Sequence, residues 1–121
     1  MQINKEPNEK HSIQSYTDAE VKINAVTYSQ NLIVNQQQLL SNWNITALND
    51  LSLDTINPLL SLEPEVIIIG HNGKDNFPPM PMLQQLSQMR IGIECMSIGA
   101  ACRTYNLLLS EDRKVVLGII F

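Results

Sequence analysis

The residues best placed to do chemistry lie in one run, Ser97-Ile98-Gly99-Ala100-Ala101-Cys102-Arg103-Thr104-Tyr105-Asn106. At about 100° per residue, Ile98, Ala101, Cys102, Tyr105, Leu108 and Leu109 fall on one broad apolar face. Gly99, Arg103, Asn106 and Ser110 form a narrow stripe opposite, with Ala100 and Leu107 beside it. A helix this apolar has to be packed on more than one side. An arginine in that setting needs a partner, because a buried, unpaired guanidinium costs several kcal/mol. Two roles for Arg103 follow. In one it pairs with a carboxylate or caps backbone carbonyls of a neighbouring loop. In the other, Arg103 and Asn106 line a small polar cleft with Gly70, and Ser97, Gly99 and Ala100 present helix N-terminal amides to an anion. The two are not exclusive.

Other chemistry-bearing residues make weaker constellations. Gly70-His71-Asn72-Gly73-Lys74 shares part of a phosphate-binding loop. The full pattern needs two more residues between the glycines and a Ser or Thr after the lysine. Asp75 stands there instead and would repel phosphate, so Asn72-Gly73 reads as a turn. His71 sits where an α/β enzyme can hold a general base, but no orienting partner is evident. It reads as a solvated or turn-contact histidine, and His11 carries no argument. Cys95 and Cys102 make no CxxC and have no histidine at metal-ligand spacing, so both read as buried thiols. Cys102 is in the first turn of the helix, where the dipole can lower a thiol pKa, yet its apolar face predicts an inert group. Pro78-Pro79-Met80-Pro81-Met82, with Phe77, is either a docking strip or a stiffened helix entry whose methionines fill core gaps. Trp43 reads as a core or sheet-edge anchor. No catalytic, cofactor-binding or metal-ligating residue is assigned.

The elements that position these groups divide near Leu51. Before it, short alternating runs at Ile13–Tyr16, Val21–Ile23, Val26–Val34 and Leu39–Trp43 read as an antiparallel β meander. Thr17–Glu20 and Asn24-Ala25 are its tight connections, and Gln36–Gln38 is a turn into a strand. Ser52 can cap a helix that Pro58 interrupts or restarts, ending before Pro64. Val66–Gly70 is continuously apolar and β-branched, as in a strand covered on both faces. A helix follows from about Pro79 to Arg90, with Leu83, Leu86 and Met89 inward and Gln84, Gln85 and Gln88 outward. Gly92 ends it, and Ile93–Met96 is the next strand. Val66 to Met96 spans 31 residues, one βαβ crossover, so these two strands should be parallel. The last helix runs from Ile98 to Ser110, and Val115–Phe121 is a final strand. The expected fold is α/β: three layers, a mixed central sheet with one βαβ crossover, and the N-terminal meander. Both parallel strands end on one edge of the sheet, the usual place for a ligand.

Length and charge bound the function. The chain forms one domain, 12–121, behind a disordered polar tail, 1–11. Eight basic residues against twelve acidic ones leave a net charge of −4, too few cations to build a nucleic-acid face. No apolar run approaches the roughly 20 residues that span a bilayer, and the N-terminus has no signal- or transit-peptide pattern. A cytoplasmic protein is expected.

Two segments, Pro64–Gly70 and Gly99–Leu108, resemble the uncharacterised family of short α/β proteins that includes mitochondrial complex I assembly factor 3 and the adipogenesis-associated domain protein. The likeness runs from about Ile13 to Phe121. It implies a three-layer α/β fold with a mixed sheet, no established enzymatic activity, and an accessory or assembly role exercised by binding other proteins. After Gly70 the chain has His71-Asn72-Gly73 where the family typically has Thr-Gly. With no mitochondrial presequence, it resembles the bacterial members. The competing expectation is a binder of, or enzyme acting on, a small anionic ligand at the Arg103 cleft. A third is a homo-oligomer joined along the meander edge.

Overall fold

The computed structural model describes residues 11–74 and 77–121. The tail expected at 1–11 lies outside the described residues except for His11. The main sheet is built on apolar strands: β4 (Leu32–Val34), β5 (Leu39–Ser41), β6 (Val66–His71), β7 (Gly92–Ser97) and β8 (Val115–Ile120). Its order is β5-β4-β8-β6-β7. β6 pairs in parallel with both β7 and β8, while β4 pairs antiparallel with β8 and β5, so the sheet is mixed. The parallel βαβ crossover expected from the spacing is present.

Side chains alternate between the two faces, as the pleat requires. Ile67, Ile69, Val116 and Ile120 join a core with Trp43, Ile56, Leu59 and Leu86. Ile68, Leu117, Ile119, Leu32 and Val34 join another with Ile98, Ala101, Tyr105, Val21 and Ile23. The first core lies under α1 (Leu53–Leu60) and α2 (Met80–Gln88), the second under α3 (Ile98–Ser110). Three layers result.

The N-terminal half is two pieces rather than one meander. β1 (Ser15–Tyr16), β2 (Val21–Ile23) and β3 (Val26–Tyr28) form a separate antiparallel sheet, and β4 and β5 join the main one. Burial explains the split. All three residues of β4 are buried, so it must be covered on both faces, whereas β3 has two exposed residues. The tight turns are where the sequence puts them, with Asn24 and Ala25 both at positive φ (49° and 69°) in the β2–β3 hairpin.

The helices correct three expectations. α1 runs unbroken through Pro58. The Ser52 side chain accepts from Thr55 N–H, and the Thr55 hydroxyl accepts from Ser52 N–H at 2.8 Å, fixing the start. Burial of Ile56 and Leu59 outweighs the single backbone bond that proline removes. In α2 the inward residues are Met82 and Leu86; Leu83 is half-buried and Met89 is exposed. Arg90, not Gly92, ends that helix. It takes φ 61° while Ile91 N–H reaches back to Leu86 C=O, a Schellman closure that swings Met89 out and Ile91 into the core. Gly92 is the first residue of β7.

Candidate functional site

The carboxyl edge of the parallel strands carries two candidate places, one on each face. On the α3 face, β7 runs straight into the helix, and Ser97 is both its last residue and the helix N-cap. The Ser97 hydroxyl accepts the Ala100 N–H at 3.3 Å. Gly70 lies beneath the helix: a Cβ there would stand 2.8 Å from the Ala101 Cβ and 3.2 Å from the Ile98 Cα. Its role is therefore close approach of strand and helix. Gly99 faces the other way, and a Cβ on it would meet the Tyr16 ring at 3.0 Å and Arg103 Nη1 at 3.4 Å.

Arg103 is exposed. Its Nη1 donates to the Tyr16 hydroxyl at 2.7 Å, and the guanidinium carbon stands 5.9 Å from that ring's centroid. The partner is a phenol rather than the carboxylate or carbonyls expected of a structural arginine. Exposure removes the desolvation penalty that would have required a carboxylate. Asn106, part-buried one turn on, clamps the segment before β1. Its Oδ1 accepts the Ile13 N–H at 2.8 Å, and its Nδ2 donates to the Ile13 C=O at 2.9 Å. Next to it the Tyr105 hydroxyl donates to His11 C=O at 2.8 Å.

The structure thus brings Ser97, Gly99, Ala100 and Arg103 together at the start of α3, places Gly70 under the opposite side of the helix, and spends Asn106 on the chain itself. Tyr16 and Ile13 are the residues that sequence reasoning missed. They sit 87 and 93 positions from their α3 partners, and no local pattern links them.

On the other face a cavity of about 220 Å³ opens where β6 and β8 end side by side. His71, Asn72, Gly73 and Lys74 line it, with Thr46 and Asn49 across. His71 is the last residue of β6 and only 3% exposed, not a solvated loop residue. Its Nδ1 accepts the Gly73 N–H at 3.0 Å, which makes it a turn contact. Asn72 Nδ2 donates to Asp18 C=O at 3.0 Å and ties the turn to the small sheet.

The thiols are poorly suited to nucleophilic work. Burial pushes Cys102 up to about 12, against a smaller opposing pull from Arg103. Burial, with Glu94 adding to it, pushes Cys95 up to about 12. A thiolate is the reactive form, so neither sulfur is activated. Trp43 anchors the opposite core, its indole N–H donating to Thr55 C=O at 2.9 Å while the ring lies over Gly118. Of the methionines beside Pro81, Met82 fills the core at 2% exposure, whereas Met80 is 63% exposed and Phe77 81%. Among the described residues no helix is long and apolar enough to cross a membrane.

A three-layer α/β domain with a five-stranded mixed sheet and a small N-terminal antiparallel sheet against its last helix is thus the class defined by fold and site. Residues 13–120 match the family described as protein of unknown function (DUF498/DUF598), and the chain belongs to that family. It is 29% identical over 106 residues to the 13 kDa major membrane protein of Francisella tularensis subsp. holarctica, covering 87% of this chain and 86% of that one. It is also 29% identical over 80 residues to NADH dehydrogenase [ubiquinone] 1 alpha subcomplex assembly factor 3 of Danio rerio. That match takes in 64% of this chain but only 46% of the assembly factor, so the chain spans less than half of that relative. An NMR structure of a Xanthomonas campestris protein superposes with a TM-score of 0.83 at 30% identity, covering 99% of this chain and 92% of that one. The family includes complex I assembly factors, as the two quoted segments implied.

Proposed function

We propose that this chain is a non-enzymatic accessory protein, assembly-factor-like, that binds other proteins from the cytoplasm while a membrane-associated complex is put together. Membership of a family that includes complex I assembly factors carries the reading. The surface at the entry to α2 supports it, where Phe77 and Met80 stand 81% and 63% exposed in a run with Pro78, Pro79 and Pro81. Tagged chain expressed at its native level, cross-linked and purified, is the test, run beside a Phe77→Ser/Met80→Ser double variant. Partners enriched over a matched control and lost from a double variant that melts like wild type are the expected result. No enrichment at all sinks the function; partners retained by the variant sink the surface.

A second reading puts a small anionic ligand beside Arg103. It is favoured by the exposure of that guanidinium and by its contact with a neutral hydroxyl, a partner that leaves the charge available. Calorimetric titration with anionic metabolites, wild type against Arg103→Ala, decides it: equal heats in the two proteins refute the reading.

A further inference from the structure

We infer that β7 is a self-docking edge: two copies of the chain pair antiparallel along it, about a two-fold axis through Cys95, and join their five-stranded sheets into one. β7 lies at the far side of the sheet from β5, so this is neither the meander edge nor the Phe77–Met80 surface.

The backbone is the first argument. β7 ends the strand order and, among the described residues, pairs only with β6. Gly92 N–H donates to Glu65 C=O at 3.2 Å. Gly92, Glu94 and Met96 therefore turn their main-chain groups toward β6, and Ile93, Cys95 and Ser97 turn theirs outward. None of the six residues of β7 is buried, whereas five of six in β6 and all of β8 are. Edge strands kept single are short, or carry proline, lysine or a bulge. β5 has three residues; β7 has six, with no proline, no lysine and an unbroken register against β6.

Charge selects the occupant and the register. A two-fold axis normal to the sheet keeps each side chain on its own face, so it passes through a residue, and Glu94 or Cys95 gives the fullest overlap. The two registers make equal numbers of bonds between the strands, because Ser97 C=O, at the helix N-cap, is already spent on the first helical bond. Charge breaks the tie. An axis through Glu94 would set two carboxylates opposite each other with Cα atoms about 4.5 Å apart, which is repulsive. With the axis through Cys95, Glu94 faces Met96 of the second copy instead. Met96 packs into the α3-side core, and Glu94, two residues away, shares its face. The carboxylate then stands two residues from the start of the second copy's α3. That helix has no acidic residue in its own first turn, and an incoming carboxylate complements its amino end. Each copy supplies the charge the other lacks, so the edge fits a second copy of this chain.

Sedimentation velocity and amide hydrogen exchange on the ¹⁵N-labelled full chain, from micromolar to millimolar concentration, test the pairing. One strand pair is a small interface, so a weak dimer that grows with concentration is expected. Exchange at Cys95 and Ser97 should slow as the dimer fills. Ile93, facing the spent Ser97 carbonyl, should stay fast, while Glu94 and Met96, bonded to β6, are protected at every concentration. Cys95→Pro removes both central donors yet spares the ladder to β6, because the Cys95 N–H points outward. It should weaken the dimer on the order of thirtyfold. If that variant fails to fold, the wild-type exchange pattern decides alone. A chain that stays monomeric at millimolar concentration overturns the inference, whether or not another protein takes the edge. A dimer that leaves Cys95 exchange unchanged lies elsewhere and overturns it too, and slowing at Ile93 in place of Ser97 overturns the axis through Cys95.

Discussion

Asn106→Ala is the perturbation whose cost can be worked most directly from the geometry. The carboxamide makes two hydrogen bonds to one residue, accepting from Ile13 N–H at 2.8 Å and donating to Ile13 C=O at 2.9 Å. Each neutral bond contributes about 1 kcal/mol net, and stranding part-buried partners raises the loss, so about 2–3 kcal/mol is expected. There is a ceiling. Ile13 is only 5% exposed within the α3-side core, and if its segment peeled away the burial forfeited would be about 1.5–3 kcal/mol more. The Tyr105 hydroxyl bond to His11 C=O opposes that peeling, which keeps the expected value near the lower figure. Urea unfolding followed by the fluorescence of Trp43, buried at 7% in the opposite core, reads global stability without touching the site. Amide exchange at Ile13 reads the clamp itself and should accelerate more than exchange in β6 or β8. Asn106→Asp keeps the acceptor but turns an anionic oxygen toward Ile13 C=O, so it should fare no better than alanine at neutral pH. A stability change below about 0.5 kcal/mol with Ile13 protection intact would refute the clamp.

Three further outcomes follow from contacts already described. Gly70→Ala places a methyl 2.8 Å from the Ala101 Cβ and 3.2 Å from the Ile98 backbone, and should cost about 1–3 kcal/mol in thermal or urea unfolding. With both thiols pushed up to about 12, the thiolate fraction falls but each thiolate becomes more nucleophilic, so aromatic-disulfide labelling at mildly alkaline pH should run tens of fold slower, on the order of 30- to 60-fold, in the folded than in the unfolded chain, read by absorbance. Glu65 is held below 4.5 chiefly by its hydrogen bond with Arg113. Its stabilisation is therefore complete above about pH 4.5 and lost as pH falls through the lowered folded value. Wild-type and Glu65→Gln melting temperatures should accordingly converge in acid, and a constant gap would contradict the pair.

What the sequence makes legible is what neighbouring residues decide among themselves. α3 occupies Ile98–Ser110 as read, because its apolar face and capping serine lie within a single run. The β6–β7 crossover was readable for the same reason, from one β-branched stretch and a spacing. Pro58 misled because propensity counts a lost bond locally while Ile56 and Leu59 are held by the distant sheet. The end of α2 misled because a left-handed arginine did the work usually left to glycine. The stripe on α3 was correctly seen as polar, but its occupants were not legible. Tyr16 and Ile13 arrive from the far end of the chain, and the burial inferred for Arg103 assumed a cover that Tyr16 supplies only in part. His71 was underweighted because a residue after glycine in a turn-rich run looks like loop, whereas the ladder to β7 and β8 carries it into the strand.

The lengths of the connections explain why the two faces of one sheet edge differ. β7 passes into α3 with no residue between them, so Ser97 spends its side chain on the cap and the small sheet lies against the helix. β6 ends at His71, and α2 does not begin until Met80. β6 and β8 are adjacent and parallel, so their carboxyl ends stand side by side. Their carboxyl ends are left facing the 46–49 loop, which packs on the same core through Leu48 without filling the gap. The cavity sits where those ends and the loop meet, and His71, Asn72 and Lys74 give it a polar lining. If His71-Asn72-Gly73-Lys74 were exchanged for an apolar turn of equal length, the concavity should survive, because the 46–49 loop and the ends of the two strands still bound it.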